Sequence, residues 1–184
     1  MKRVAGYIQR KSMLYETGVE YGDYTMNHVL GCAHGCKFPC YAFLQKKRFG
    51  QIHTYEQWLQ PYLVSNTLQL LQSEIPKLRN RIESVQLCFT TDPFMYEFDE
   101  IAKMSKDAIR LLNLNGIKCT VLTKGILPLE LGDKKNYSMD NEYGITLISL
   151  DEKYREKIQF VPLTVRFGDK EYLDGVELSK HQFY

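Results

Sequence analysis

The sequence predicts an α/β fold in which parallel strands are joined by crossover helices. Short segments rich in β-branched and apolar residues alternate with segments whose apolar residues recur at helical spacing. This alternation favours a parallel sheet, because parallel neighbours need a long connection that a helix usually provides. The chain has 184 residues and no Gly/Ser-rich or Pro-rich linker, so we expect one core domain.

Four segments have the composition of strands, and two helical stripes lie between them. The predicted strands are Thr25–Leu30, Val85–Thr91, Ile117–Thr123 and Tyr143–Ser149. The first stripe consists of Leu68, Leu71, Ile75 and Leu78. Pro76 is expected to kink or restart that helix. The second stripe consists of Ile101, Met104, Ala108 and Leu111. Gly116 is expected to end it as a C-terminal cap.

Polar or reactive residues follow every predicted strand at its carboxyl end. Cys32 follows the first strand, Asp92 the second, Lys124 the third and Asp151 the fourth. The carboxyl ends of parallel strands meet at one edge of a sheet, where α/β proteins bind their ligands. We therefore expect a single site at this edge.

The cysteine content indicates metal or redox chemistry in a reducing compartment. Five cysteines are an odd number, and the N-terminus lacks the apolar run of a secretory signal, so we expect a cytoplasmic protein without structural disulfides. No stretch approaches the ~18 apolar residues of a transmembrane helix, and no membrane partner is expected. The net charge of +2 gives only weak support to a nucleic-acid partner.

Three cysteines lie within the segment "GCAHGCKFPCYAF", at Cys32, Cys36 and Cys40. They could be small buried hydrophobes, as single cysteines often are. They could bind zinc together with His34 or a distant cysteine, although no second pair of closely spaced ligands is present. They could also bind an iron–sulfur cubane through three thiolates and leave one iron open, and we favour this interpretation.

Pro39 supports the cluster interpretation. It disfavours a helical conformation at Phe38 and suits the first turn of a helix that would run onward from Cys40. Cys40 would then lie near a helix N-terminus, whose exposed N–H groups and positive dipole stabilise a thiolate and an anionic cluster.

These residues resemble the radical S-adenosylmethionine enzymes. The usual spacing in that family is C-x3-C-x2-C, whereas this chain has C-x3-C-x3-C. The segments "CFTTDPF", "VLTKG" and "GITLISLDE" resemble the subgroup related to spore photoproduct lyase. The resemblance runs from about Ile8 to Lys157.

The resemblance implies a partial (βα) barrel of the radical S-adenosylmethionine type, here with about four βα units in place of six. It implies that Cys32, Cys36 and Cys40 hold a [4Fe-4S] cluster, which binds S-adenosylmethionine and cleaves it reductively. The 5′-deoxyadenosyl radical formed in this way would abstract hydrogen from an unknown substrate. The resemblance also implies an electron donor such as flavodoxin or ferredoxin. The alternative is a non-enzymatic zinc-binding module.

Matching positions imply roles in binding the cofactor. Thr91 and Asp92 would lie near the methionine end, where Asp92 would accept hydrogen bonds from the ammonium group. Lys124 would face the carboxylate and Ser149 another polar part of the same ligand. Asp92 and Lys124 could instead form an ordinary loop ion pair, and the threonine and serine hydroxyls could be turn caps.

Aromatic and sulfur positions are interpreted in the same way. Phe38 and Tyr41 would flank the adenine or the cluster, or simply pack. Thr90 stands where the spore enzyme has its hydrogen-donor cysteine, with Cys88 two residues earlier, so DNA photoproduct repair is not expected. Cys88 and Cys119 are predicted to fill core, and no residue is assigned a catalytic role.

The C-terminal part departs from the family pattern. We divide the chain into a core of residues 1–160 and an atypical tail of residues 161–184, where "LTVRFGDKEYL" predicts a β-hairpin about Gly168 and Asp169. The chain would be either a natural short form or a truncated member, and we favour truncation. A relative that binds the cluster without turnover is therefore a further alternative.

Overall fold

A five-stranded mixed sheet lies at the centre of the fold. The structure is a computed structural model that describes residues 1–18, 22–36 and 40–146, together with the backbone of two short strands in the tail. The strands are β1 (Gly6–Ile8), β2 (Leu14–Glu16), β3 (Tyr24–Met26), β4 (Val29–Leu30), β5 (Tyr62–Val64), β6 (Ser84–Leu87), β7 (Lys118–Thr123), β8 (Glu142–Ile145), β9 (Arg166–Phe167) and β10 (Lys170–Glu171). The helices are α1 (Tyr41–Arg48), α2 (Tyr55–Trp58), α3 (Thr67–Leu78), α4 (Asp99–Leu114) and a 3₁₀ helix at Leu129–Gly132.

The central sheet has the strand order β2-β3-β6-β7-β8. Strands β3, β6, β7 and β8 are parallel, and β2 pairs antiparallel with β3 at one edge. A second, three-stranded sheet has the order β1-β5-β4. The α/β class and the parallel pairing of the central strands are therefore confirmed, and the described part of the sheet is open rather than closed into a barrel.

The first two predicted strands differ from the observed ones. The segment Thr25–Leu30 divides into β3, in the central sheet, and β4, in the second sheet. The segment Val85–Thr91 stays extended only as far as Leu87, because Cys88 adopts a positive φ of 53° that a strand cannot continue through.

The later predicted strands agree more closely. Ile117–Thr123 matches β7, and Tyr143–Ser149 matches β8 as far as residue 145, while residues 147–150 lie outside the described chain. The three-residue strands β1, β2 and β5 were not predicted.

Both helical stripes form helices. Helix α3 runs through Pro76 to Leu78 and does not restart there. Proline lacks a backbone N–H, so at this late position the helix loses only one hydrogen bond. Helix α4 ends at Leu114, and Gly116 follows with φ of 75°, which confirms the predicted cap. The connection from β7 to β8 contains the 3₁₀ helix instead of an α-helix, so it is not a full βα unit.

The main core fills the space between the central sheet and helices α3 and α4. Its fully buried side chains include Met26, Leu71, Ile75, Val85, Ile109, Leu112 and Val121. The alternate strand residues Thr25, Gln86 and Thr120 are in register on the other face of the sheet. The sheet therefore has an apolar face toward the helices and a polar face opposite.

The tail contains the expected hairpin pairing. Strands β9 and β10 pair antiparallel, with Phe167 opposite Lys170, while the turn residues 168–169 lie outside the described residues. The boundary at residue 160 also lies outside them. None of the helices in the described chain is long and apolar enough to cross a membrane.

Two leucines of α4 test this packing. Leu112 has 0% of its surface exposed and Leu114 has 75%. Leu112→Ala should lower the free energy of unfolding by roughly 2–5 kcal/mol, because it removes buried methyl groups and leaves a cavity. Leu114→Ala should change it by less than about 0.5 kcal/mol. Urea denaturation measures both, and equal losses would contradict the placement of α4.

Candidate functional site

A cavity of about 370 Å³ lies at the carboxyl edge of the parallel strands. Its walls come from the cysteine loop, from helix α1 and from the residues that follow β6, β7 and β8. The polar and aromatic residues that line it are Cys32, His34, Cys36, Cys40, Tyr41, Trp58, Gln86, Cys88, Phe89, Thr90, Thr91, Asp92, Lys124 and Thr146. The expected convergence of strand-end residues and cysteines on one site is thus present.

The cysteine loop begins against the segment after α2. Gly31 has φ of 95°, and a Cβ at this position would come within 2.8 Å of the Trp58 carbonyl oxygen. Only glycine fits there, and the N–H of Cys32 then donates to the same carbonyl at 2.8 Å. Farther along, the Tyr55 hydroxyl donates to the Cys36 carbonyl at 2.6 Å. Backbone contacts therefore hold the loop at both its first and second cysteines.

The third cysteine lies at the start of α1, as predicted. Cys40 is the N-cap of this helix, and its carbonyl accepts the N–H of Leu44 at 3.0 Å. Its side chain makes no capping hydrogen bond, so the thiol stays available for another partner. The basic residues of α1 lie in its last turn. The positive end of the helix dipole lies at the other end of the helix, beside Cys40.

Asp92 is a buried carboxylate that connects three segments of the site. Its Oδ1 accepts from the N–H of Phe94 at 2.8 Å and from the Thr123 hydroxyl at 2.6 Å. Its Oδ2 accepts from the Lys124 N–H at 2.7 Å and lies 2.9 Å from Nε2 of His34. Burial alone would raise the pKa of Asp92, but the charge of His34 and these donors hold it below its usual value.

The contact between His34 and Asp92 is an ion pair with poor hydrogen-bond alignment. Both side chains are almost fully buried, and the distance between Nε2 and Oδ2 is short. Even so, Nε2 has no hydrogen-bond partner of good geometry. We regard the contact as electrostatic, because the Coulomb energy of two buried groups 2.9 Å apart depends on their distance and little on the hydrogen-bond angle.

Lys124 reaches the cysteine loop. Its ammonium donates to Sγ of Cys36 at 3.2 Å, whereas it contacts Asp92 through its backbone N–H. The alternative in which the two side chains simply pair with each other is therefore not the observed arrangement.

Burial and the charge of Asp92 raise the pKa of Cys32 well above its usual value. A cation bound at this thiol would have to displace its proton.

Three buried polar atoms of the described chain lack a hydrogen-bond partner, and all three belong to residues that line this cavity. They are Nε2 of His34, Oε1 of Gln86 and Oγ1 of Thr91. The Thr91 hydroxyl lies beside the Cys88 sulfur, a weak acceptor that leaves it without a good hydrogen bond. These atoms have almost no accessible surface, so they lie within the wall of the cavity and not on its surface.

Cys88, His28 and Ser105 form a buried chain behind the cavity wall. Ser105 Oγ lies 2.6 Å from the Pro93 carbonyl oxygen and 2.8 Å from His28 Nε2. The hydroxyl donates to a carbonyl, so Nε2 carries the imidazole proton and Nδ1 is the acceptor, 3.4 Å from the Cys88 sulfur. Burial lowers the pKa of His28 to about 3 and raises the pKa of Cys88 to about 12. Both groups are therefore neutral near pH 7.

The predicted site residues divide into two groups. Those that line the cavity are Cys32, Cys36, Cys40, Thr91, Asp92, Lys124 and Tyr41. Phe38 and Ser149 lie outside the described residues. Sequence reasoning overlooked Gln86 and Thr146. Gln86 is 3% exposed on a buried strand. The signal that could have identified it is an amide side chain within the apolar run "SVQL". Cys88 fills core as predicted and also reaches the cavity.

No three His, Cys, Asp or Glu side chains within the described ranges are placed to hold a single metal ion. Comparison of the chain with protein-family models, with curated proteins and with solved structures found no match.

Asp92→Asn tests the role of the buried carboxylate. The substitution removes the negative charge that faces His34 and should lower the free energy of unfolding by roughly 3–5 kcal/mol, because a buried charge loses its partner. Asp107→Asn breaks only the exposed pair with Lys103 on α4 and should cost about 0.5 kcal/mol or less. Denaturation at pH 7 measures both, and a small effect at position 92 would contradict the ion pair.

His28 predicts a pH dependence of stability. The unfolded chain takes up a proton on His28 near its usual pKa of 6.5, but the folded chain does so only near pH 3. The free energy of unfolding should therefore fall as the pH drops through this window, by up to about 1.4 kcal/mol per pH unit. His28→Gln should flatten this slope, whereas His53→Gln, at an exposed position, should not. An unchanged slope in His28→Gln would show that another group titrates.

Proposed function

We propose that this chain is a radical S-adenosylmethionine protein. Cys32, Cys36 and Cys40 would hold a [4Fe-4S] cluster, and the adjoining cavity would hold S-adenosylmethionine. The finer fold that accompanies the proposal is a partial (βα) barrel, with β3, β6, β7 and β8 as its parallel strands. The proposed setting is the cytoplasm, with flavodoxin or ferredoxin as the electron donor and an unidentified substrate.

One observation carries the proposal. The three cysteines line a single cavity at the carboxyl edge of the parallel strands, together with the Lys124 and Asp92 side chains. A cavity of about 370 Å³ leaves room for a ligand beside the thiols, and its wall also carries the polar side chains of Gln86 and Thr91.

The donor set suits a cubane better than a single zinc ion. Zinc needs its ligands about 2.3 Å from one point, whereas three thiolates of a cubane bind three separate irons and stand farther apart. The described side chains form no group placed to hold a single metal ion. Cys40 at the N-terminus of α1 and Lys124 near Cys36 would supply positive potential to thiolates and to an anionic cluster.

The residues of the chain would bind, orient and shield the ligands. When bound and reduced, the cluster would supply the electron that splits S-adenosylmethionine into methionine and the 5′-deoxyadenosyl radical. Lys124 would provide the cation for the methionine carboxylate, and Thr91 would provide a hydroxyl near the same end. Asp92 is surrounded by donors from its own chain, so its role here is to position His34 and the cysteine loop. Tyr41, which bonds the Phe89 carbonyl across the cavity wall, would limit access of water.

Iron loading tests the proposal. Anaerobically reconstituted protein should be brown, absorb broadly at about 400 nm and contain iron. Cys36→Ala should lose this absorbance and most of the iron, because one ligand of the cluster is gone. Cys119→Ala is the matched control, since this buried thiol lies in the main core and not at the cavity. Equal losses in the two variants would mean that the assigned ligands are wrong.

The other outcomes separate the alternatives. Colourless protein with one zinc per chain would replace the proposal with a zinc-binding module. Protein that binds the cluster but forms no 5′-deoxyadenosine with dithionite and S-adenosylmethionine would be a relative without turnover. Release of 5′-deoxyadenosine by the parent protein and not by Cys36→Ala would support catalysis.

A further inference from the structure

The turn that follows β6 is held to the end of β3 by the side chain of Asn27. This partly buried residue lies in the two-residue link where the chain passes from β3 to β4. Its Oδ1 atom is 3.0 Å from the backbone nitrogen of Thr90 and 3.0 Å from the Thr90 hydroxyl oxygen. Thr90 is 8% exposed and lines the cavity beside the three cysteines. One amide therefore holds a residue of the cavity wall by two contacts.

These two contacts determine which atoms donate and which accept. A backbone N–H can only donate, so the atom of Asn27 that faces Thr90 must be its amide oxygen and not its amide nitrogen. That oxygen can only accept, so the Thr90 hydroxyl must give its single hydrogen to Asn27. The hydroxyl oxygen keeps its lone pairs. In any contact with a ligand in the cavity, the Thr90 hydroxyl must therefore be the acceptor.

The backbone of the turn limits any change in this arrangement. The Cys88 N–H donates to the Met26 carbonyl at 2.7 Å, and the Thr91 N–H donates to the Cys88 carbonyl at 3.0 Å. These bonds fix the backbone on both sides of Thr90. A rotation of its hydroxyl toward another acceptor would cost the hydrogen bond to Asn27.

Asp92, the carboxylate of the cavity wall, is poorly suited to accept a hydrogen bond from a ligand. Four groups of the chain already surround its oxygens. The Lys124 side chain has donors only. The Thr90 oxygen, in contrast, receives no hydrogen bond from any described residue. A ligand donor can therefore bond to Thr90 without breaking a contact within the chain.

We propose that Thr90 accepts a hydrogen bond from a donor group of the bound ligand, and that Asn27 is the positioning residue that orients its hydroxyl for this contact. The inference rests on the proposed function, which gives S-adenosylmethionine as the ligand. The ammonium group, the ribose hydroxyls and the adenine amino group of that molecule are all donors. Asn27 is not part of the cavity lining and acts through Thr90.

The affinity of the iron-loaded protein for S-adenosylmethionine tests the role of Thr90. Thr90→Val replaces the hydroxyl by a methyl group of similar size, and the Kd should rise about tenfold. Thr90→Ser keeps the hydroxyl and should bind within about twofold of the parent protein. The matched control is Thr25→Val, which removes a hydroxyl that donates to the Gln86 carbonyl outside the cavity lining. It should also bind within about twofold of the parent protein.

A double-mutant cycle tests the positioning role of Asn27. Asn27→Ala leaves the Thr90 hydroxyl free to rotate, and the Kd should rise about threefold to tenfold. Asn27→Asp keeps an acceptor oxygen and should restore most of the affinity. In Asn27→Ala/Thr90→Val, the Kd should be no higher than in Thr90→Val, because the hydroxyl that Asn27 orients is already absent. Effects that add in the double variant would show a general structural role and overturn the positioning role.

Analogues of S-adenosylmethionine identify the donor. They lack, one at a time, the ammonium group, the ribose hydroxyls or the adenine amino group. For the analogue that lacks the true donor, the parent protein and Thr90→Val should have the same Kd, because neither can form the bond. If the parent protein binds every analogue more tightly than Thr90→Val does, no ligand donor meets the hydroxyl and the proposal is wrong.

Failure of the proposed function would give a different result. Parent protein that takes up no iron, or that takes up iron and does not bind S-adenosylmethionine, would overturn the proposed function and this inference with it. If the parent protein binds both, and Thr90→Val has the same iron content and the same Kd, only the roles of Thr90 and Asn27 are overturned.

Discussion

The buried carboxylate of Asp92 is the constraint on which the candidate site depends. It joins the end of β7, through Thr123 and Lys124, to the cysteine loop, through His34. A carboxylate in an apolar interior is stable only when donors and a positive charge surround it. The position of the cysteine loop over the sheet edge therefore follows from the need to satisfy one buried charge.

The loop itself is shaped by backbone contacts more than by its cysteines. Gly31 allows the close approach to Trp58, and the Tyr55 hydroxyl holds the Cys36 carbonyl. Trp58 and Tyr55 also form the small core that supports α1, so one group of aromatic residues positions both the loop and the helix that begins at Cys40. The side chain of Cys40 takes no part in capping the helix, as a metal-binding role would require.

Part of this arrangement was predictable from the sequence for a physical reason. Parallel strands carry whatever follows them to one edge, so the positions of Cys32, Asp92 and Lys124 after apolar segments sufficed to predict that they converge. The second sheet could not be predicted, because its strands have two or three residues and pair Val29 with Leu63 across a long stretch of chain. Such short strands show no periodicity. The early end of β6 depends on the left-handed conformation of Cys88, which a non-glycine residue adopts only when its surroundings impose it.

The partners of Asp92 were also beyond sequence reasoning, and they change how its role is understood. A strand-end aspartate beside a lysine suggests a contact to a ligand or an ion pair, and both ideas assume that its oxygens are free. In the structure four groups of the chain already surround those oxygens. A ligand that bound Asp92 would first have to displace one of these groups, at the cost of the hydrogen bond that it breaks. The buried carboxylate is therefore better understood as a residue that holds His34 and the cysteine loop against the end of β7 than as one that contacts a ligand.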